Sequence, residues 1–208
     1  GPFWSRHHSA HLDRFRLARA HPQLFWSGRA AAVRTDGRRK SVLSPCAGNP
    51  ARTAAVARHH GSQLTKDDIS FNFERVENLP LVQGNAQQLL QLFLNLLSNA
   101  RYALNEKHRD DHAKKNLQIT AEPLANNFGE FVRVTVLDNG AGIPEEQQAQ
   151  VMKPFITTKP VGQGTGLGLS ICNDIVNNHG GVINIDSRQG EYTKVLIDLP
   201  VATEEANE

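Results

Sequence analysis

Three groups of residues in this 208-residue sequence have the types and spacing to do chemistry. In the stretch Lys159-Pro160-Val161-Gly162-Gln163-Gly164-Thr165-Gly166-Leu167-Gly168-Leu169-Ser170, glycines alternate with other residues and run directly into an apolar, helix-periodic segment. A backbone without Cβ atoms just before a helix start lets amide N–H groups close on phosphate oxygens. A flexible cation beside such a loop, here Lys159, can reach a β- or γ-phosphate. Asn95 and Asn99 stand four apart in Asn95-Leu96-Leu97-Ser98-Asn99-Ala100, so a helix would show both amides on one face, an odd place for them among leucines. Asp138 ends an alternating segment and opens Asp138-Asn139-Gly140-Ala141-Gly142-Ile143-Pro144. Taken singly, each group has an ordinary explanation: a linker, a pair of solvated amides, a turn aspartate.

Their order weighs against the ordinary explanations. With Lys153-Pro154-Phe155-Ile156-Thr157-Thr158-Lys159 between the Gly140 and Gly142 pair and the glycine run, the four segments resemble the N box, first glycine box, F box and second glycine box of the sensor histidine kinase ATP-binding domain, in the GHKL ATPase superfamily. The Thr-Thr-Lys-Pro and Gly-Thr-Gly-Leu-Gly-Leu-Ser wording is most similar to the nitrogen-regulatory subtype. The resemblance implies a two-layer α/β sandwich of the Bergerat type, a mixed sheet with helices on one face, over about Thr65 to Val201. It implies ATP and Mg2+ as cofactors, with Asn99 as the metal ligand, an amide oxygen suiting a hard ion. It further implies that Asp138 accepts from the adenine amino group, that Ile143 packs on the base, and that Gly140 and Gly142 allow close approach of the purine. Thr158, Gly162, Gly164, Thr165, Gly166, Leu167, Gly168 and Leu169 would bind the nucleotide as a lid and helix start, mobile without ligand and ordered with it. Asn95 and Lys159 are the catalytic candidates. Hydrolytic members of the superfamily carry Glu where this chain has Asn95; an amide cannot deprotonate water near neutral pH, so γ-phosphoryl transfer to an external acceptor is favoured over hydrolysis.

These residues need a scaffold, and the periodicity supplies one. Ile69 to Val76 alternates as a half-buried strand. Gln87 to Leu104 repeats its apolar residues at helical spacing, with Asn85 as N-cap. Asn116 to Ala121 and Phe131 to Leu137 read as an antiparallel pair joined at Asn126-Asn127-Phe128-Gly129. Pro144-Glu145-Glu146 opens a short helix. The helix after the glycine run ends near Asn178 before Gly180-Gly181, with Cys172 on its buried side. Val182 to Asp186 and Thr193 to Leu199 form the last two strands. Ala51 to Leu64 suits a short lead-in helix, and the acidic tail from Ala202 to Glu208 frays.

Composition splits the chain: residues 1–70 hold twelve Lys/Arg against four Asp/Glu, and the remainder eleven against seventeen. Residues 1–64 are a basic extension, in part resembling a tag scar at Gly1-Pro2. Its aromatics show no stacking pattern, so no nucleic acid is expected. Two cysteines and the lack of an apolar span or signal-like start fit a cytoplasmic location, any membrane anchor lying elsewhere. None of the nine histidines stands in an acceptor motif, and all read as surface residues. The resemblance therefore implies a protein-histidine kinase catalytic domain whose partners are a helical dimerisation and phosphoacceptor domain and a response-regulator receiver domain, within a homodimeric full-length kinase. A GHKL-type ATPase and a non-catalytic nucleotide-gated interaction module are the alternatives.

Overall fold

The computed structural model describes residues 41–43, 61–109, 114–157, 159–160 and 164–202. Among the described residues the chain runs through β1 (Ser41–Leu43), β2 (Ile69–Arg75), β3 (Val82–Gly84), α1 (Ala86–Lys107), β4 (Lys115–Asn126), β5 (Gly129–Asp138), α2 (Glu145–Gln148), α3 (Gly168–Asn178), β6 (Val182–Arg188) and β7 (Tyr192–Pro200). β2, β4, β5, β7 and β6 form one five-stranded sheet in that order. β2 and β4 run parallel, across the connection that contains α1, and the other pairs are antiparallel. The sheet is mixed, as expected, and α1 and α3 cover it.

The core forms where the period-2 and period-3.6 patterns meet. On β4, β5 and β7 the buried residues alternate, and register stacks Ile119, Val136 and Val195 across three strands, with Ala121, Val134 and Ile197 beside them. Leu89, Leu92, Phe93, Leu96, Leu97, Ala100 and Leu104 make the buried stripe of α1. Helix α3 brings Cys172, Ile175 and Val176 against it, and the Cys172 thiol reaches the Leu92 carbonyl at 3.7 Å. Burial pushes that thiol up to about 12, so Cys172 is a core group and not a nucleophile. Asn85 caps α1 as its sequence suggests, its side-chain oxygen accepting from the N–H groups of Gln87 and Gln88 at 2.9 and 3.2 Å.

The structure departs from the local reading in three places. β4 runs on through Pro123 to Asn126, because β2 ends opposite Ala121 and leaves the rest of β4 paired on one side only, where proline's missing donor is tolerated. β3 is too short to show a period, and its partner is β1, about forty residues earlier, inside the stretch read as an unassigned extension. A helical turn over 61–66 overlaps the end of the lead-in helix expected over Ala51 to Leu64 but runs past it, and its Leu64 is buried in the core, so the core draws on residues before Thr65. The rest of the extension and residues 203–208 lie outside the described residues.

Two histidines are tied into the fold, and one of them is not a surface residue. His108, which ends α1, is buried, with Nε2 3.3 Å from the Asn139 carbonyl beneath the Asp138 loop. His179, which ends α3, stands with Nδ1 2.7 Å from the Ile175 carbonyl, while its Nε2 accepts from the Asn85 N–H at 2.9 Å. One imidazole thus ties the end of α3 to the start of α1. His179→Leu puts an apolar group of similar size in its place and removes both ring nitrogens, and should cost about 1 kcal/mol or more in urea unfolding. An unchanged midpoint would show that water replaces the contact at no cost.

Candidate functional site

Between α1, the end of β5 and the start of α3 lies a cavity of about 340 Å3. Of the residues singled out from sequence, Asn95, Asn99, Asp138, Gly142, Ile143, Lys159, Gly164, Thr165, Gly166, Gly168 and Leu169 all line it. Gly140 and Leu167 are not part of that lining, and Thr158 and Gly162 lie outside the described residues.

Asp138 sits at the inner end. The β5 alternation that buries Val132, Val134 and Val136 carries Asp138 onto the same face, where it is 5% exposed. One carboxylate oxygen accepts from the Gly140 N–H at 2.9 Å. Burial raises the carboxyl to about 7, and the Gly140 bond and the Lys107 charge offset only part of the rise. Lys107 clamps the loop by donating to the carbonyls of Asn139 and Glu191 at 2.8 and 3.1 Å. The glycines of this loop are needed for close packing within the protein. A Cβ on Gly140 would stand 2.6 Å from the Ala103 backbone of α1, so the space there belongs to the helix. A Cβ on Gly142, at φ +67°, would meet the Arg188 carbonyl oxygen at 2.1 Å.

The outer end is built by α1 and the start of α3. Asn95 donates to the Gly168 carbonyl at 3.3 Å and accepts from Gln91 at 2.9 Å, tying the two helices together. One turn later the Asn99 oxygen accepts from the Lys159 ammonium at 3.2 Å, and that ammonium lies 4.5 Å from the centroid of the Tyr102 ring. Burial lowers the Lys159 pKa and the Glu106 charge partly restores it. Gly166, at φ +67°, lets its carbonyl accept from the Phe155 N–H at 2.9 Å and turns the chain into α3. No side chain caps the start of α3, and its first residues, Gly168 and Leu169, line the cavity, so an uncapped helix start, the kind of place that suits an anion, borders it.

Sequence reasoning missed Tyr102, Glu106 and Thr193, which also line the cavity. Tyr102 and Glu106 follow Asn99 by three and seven residues, so helical spacing could have found them. Thr193 is opposite Asp138 only through the β5–β7 register.

One cavity thus gathers a buried carboxylate, an amide oxygen, a cation and an uncapped helix start. Residues 84–203 match the family described as histidine kinase-, DNA gyrase B-, and HSP90-like ATPase. The chain belongs to this family. Its ATPase-type fold is thereby an ATP-binding one, and the four boxes read from the sequence all fall within the matched segment.

The chain is 39% identical over 154 residues to the sensory histidine kinase/phosphatase NtrB of Azospirillum brasilense, covering 70% of this chain and 38% of that protein. It is 33% identical over 148 residues to the sensor histidine kinase ZraS of Escherichia coli K12, covering 69% of this chain and 29% of that one. Among solved structures, a nucleotide-free catalytic domain of the histidine kinase ThkA superposes with a TM-score of 0.58 at 30% identity, over 72% of this chain and 91% of that domain. The chain thus corresponds to the ATPase catalytic domain and spans well under half the length of these full-length kinases. No helix among the described residues is long and apolar enough to cross a membrane.

Proposed function

We propose that the chain binds Mg2+-ATP in this cavity and transfers the γ-phosphoryl group to a histidine on a separate helical dimerisation domain, for relay to an aspartate of a response regulator. The observation that carries this reading is the convergence of Asp138, Asn99, Lys159 and the uncapped start of α3 on one cavity of nucleotide size.

Asp138 receives the adenine amino group at the inner end, and the α3 N–H groups and Lys159 receive the phosphates at the outer end. The metal's fit rests on the donor chemistry: Asn99 presents one neutral amide oxygen to the cavity, and the described residues hold no cluster of three His, Cys, Asp or Glu side chains. Such a site suits an ion that keeps several waters and takes other ligands from phosphates. When bound, Mg2+ would neutralise charge on the phosphate oxygens. In the transfer, a P–N bond forms to the acceptor histidine, the bond from the γ-phosphorus to the bridging oxygen breaks, and ADP leaves. Asn95 supports this by position, its amide being spent on Gly168 and Gln91 and having no use as a base for water. The surrounding full-length protein is read as a homodimeric kinase acting in the cytoplasm.

The test is a transfer assay. Incubated with γ-labelled ATP alone, the chain should stay nearly unlabelled; with a dimerising helical hairpin bearing an acceptor histidine from a kinase of this subtype, the hairpin should take the label. Steady release of inorganic phosphate without transfer would favour the hydrolytic members of the family. Acid-labile label on the isolated chain would place an acceptor among its own nine histidines.

A further inference from the structure

We propose that the Lys159 ammonium is a built-in stand-in for the divalent cation, seated on Asn99 in the nucleotide-free chain and displaced when a metal-nucleotide enters. This rests on the nucleotide-site reading above and adds a regulation of that site.

Lys159 is not a solvated lysine. Its side chain is half-buried and lies along Gly164, where an added Cβ would stand 3.0 Å from both its Cβ and its Cδ. Its ammonium donates to the Asn99 oxygen at 3.2 Å and sits over the Tyr102 ring at 4.5 Å, with the Glu106 charge acting on it. Asn99, Tyr102 and Glu106 fall at i, i+3 and i+7 on α1, so one helix face offers an oxygen, a π-face and an acid to a single cation. That face is fixed by the Asn95 clamp on Gly168 one turn earlier. The seat is therefore cation-selective before any ligand arrives.

Two cations cannot share one amide oxygen without strong repulsion, so occupation by Lys159 and by a metal ion oppose each other. The movement is also coupled to the loop. Lys159 N–H donates to the Thr157 hydroxyl at 3.1 Å, and the Phe155 N–H donates to the Gly166 carbonyl at 2.9 Å, so releasing Lys159 from Asn99 loosens the strand of chain that faces Gly164 and Gly166. Without metal, Lys159 holds the cavity mouth and supplies the counter-charge; with metal, it is freed toward the phosphates.

The experiment compares wild type, Lys159→Gln, Asn99→Ala and the double variant in two ways. ADP affinity is titrated in MgCl2 and in EDTA. Lys159→Gln should raise the ratio of the affinity in MgCl2 to that in EDTA by about tenfold, because metal-free binding loses its counter-charge outright, while in MgCl2 the lost phosphate contact is offset by no longer having to displace the ammonium from Asn99. In protein free of both metal and nucleotide, amide exchange at Gly164, Gly166 and Leu167 should be several-fold faster in each single variant and no faster in the double, as for two ends of one contact. An unchanged affinity ratio, or unchanged exchange in Lys159→Gln, overturns the stand-in role while leaving the nucleotide site intact. Failure of wild type to bind ADP in either buffer overturns the nucleotide-site reading itself.

Discussion

Asp138→Asn should leave the domain unable to hold ATP while making the nucleotide-free protein more stable. Both effects come from one hydrogen bond and one buried charge. The Gly140 N–H must face an acceptor, so in the variant it takes the Asn oxygen and turns the NH2 group toward the cavity. A donor then meets the adenine amino group, itself a donor, and affinity should fall about 100-fold. The stability effect has the opposite sign. Burial raises the Asp138 carboxyl from 3.8 to about 7, so the folded state holds a proton that the unfolded state has already released between those values. The stability of the protonated form is fully present below pH 3.8 and is lost as pH rises through about 7, after which the whole penalty of the buried carboxylate is felt. A neutral amide avoids that penalty, on the order of a few kcal/mol at pH 8 and close to nothing near pH 4. Melting curves of the nucleotide-free chain should show the variant several degrees higher at pH 8, with the gap closing as pH falls. ATP affinity of the wild type should drop by about tenfold from pH 8 to pH 6, as the acceptor is protonated, and that of the variant should stay flat relative to it. Equal affinity of the two proteins at pH 8 would remove Asp138 from the site.

What could be read from the sequence is what has a local period or a local cap. The alternation of Val132, Val134 and Val136 led to Asp138 on the buried face, and the α1 stripe placed Asn95 and Asn99 together, because side-chain direction follows directly from backbone period. The Asn85 cap and the glycine turn into α3 were legible for the same reason. Contacts set by register or by distant packing were not. Lys159 meets Asn99 and Tyr102 across about sixty residues of chain, and no pattern in either segment announces the other. His108 and His179 looked like surface residues because a histidine at a helix end has no apolar neighbours in sequence, yet folding brings a carbonyl or an N–H to each ring. The first glycine box shows the same divide: its sequence marks where side chains are excluded, and only the fold tells which atoms occupy the space.

Gly142 gives that divide its largest measurable consequence. Gly142→Ala should destabilise the domain by about 3 kcal/mol or more, from two sources that add. The left-handed backbone at φ +67° costs an alanine about 1–2 kcal/mol. The new Cβ would also stand 2.1 Å from the Arg188 carbonyl oxygen and 2.9 Å from the Gln189 Cα, atoms of the main chain that cannot rotate away. Relief by movement is blocked on both sides. Gly190 N–H donates to the Ala141 carbonyl at 2.7 Å, Ile143 N–H donates to the Ser187 hydroxyl at 2.8 Å, and the Gln148 amide bridges the carbonyls of Ile143 and Ser187 at 3.0 and 2.7 Å. To admit the methyl group the loop must give up some of these bonds, and Ile143 would shift in the cavity wall with them. Gly190→Ala is the control, since Gly190 has φ +77° but nothing within 4 Å of its missing Cβ, so it should show the backbone cost alone. Urea unfolding of the two variants should therefore separate strain from collision, Gly142→Ala falling well below Gly190→Ala and also losing ATP affinity. Equal stability of the two would mean that the β6 end moves freely, and that the Asp138 loop is not held in place by the strand beside it.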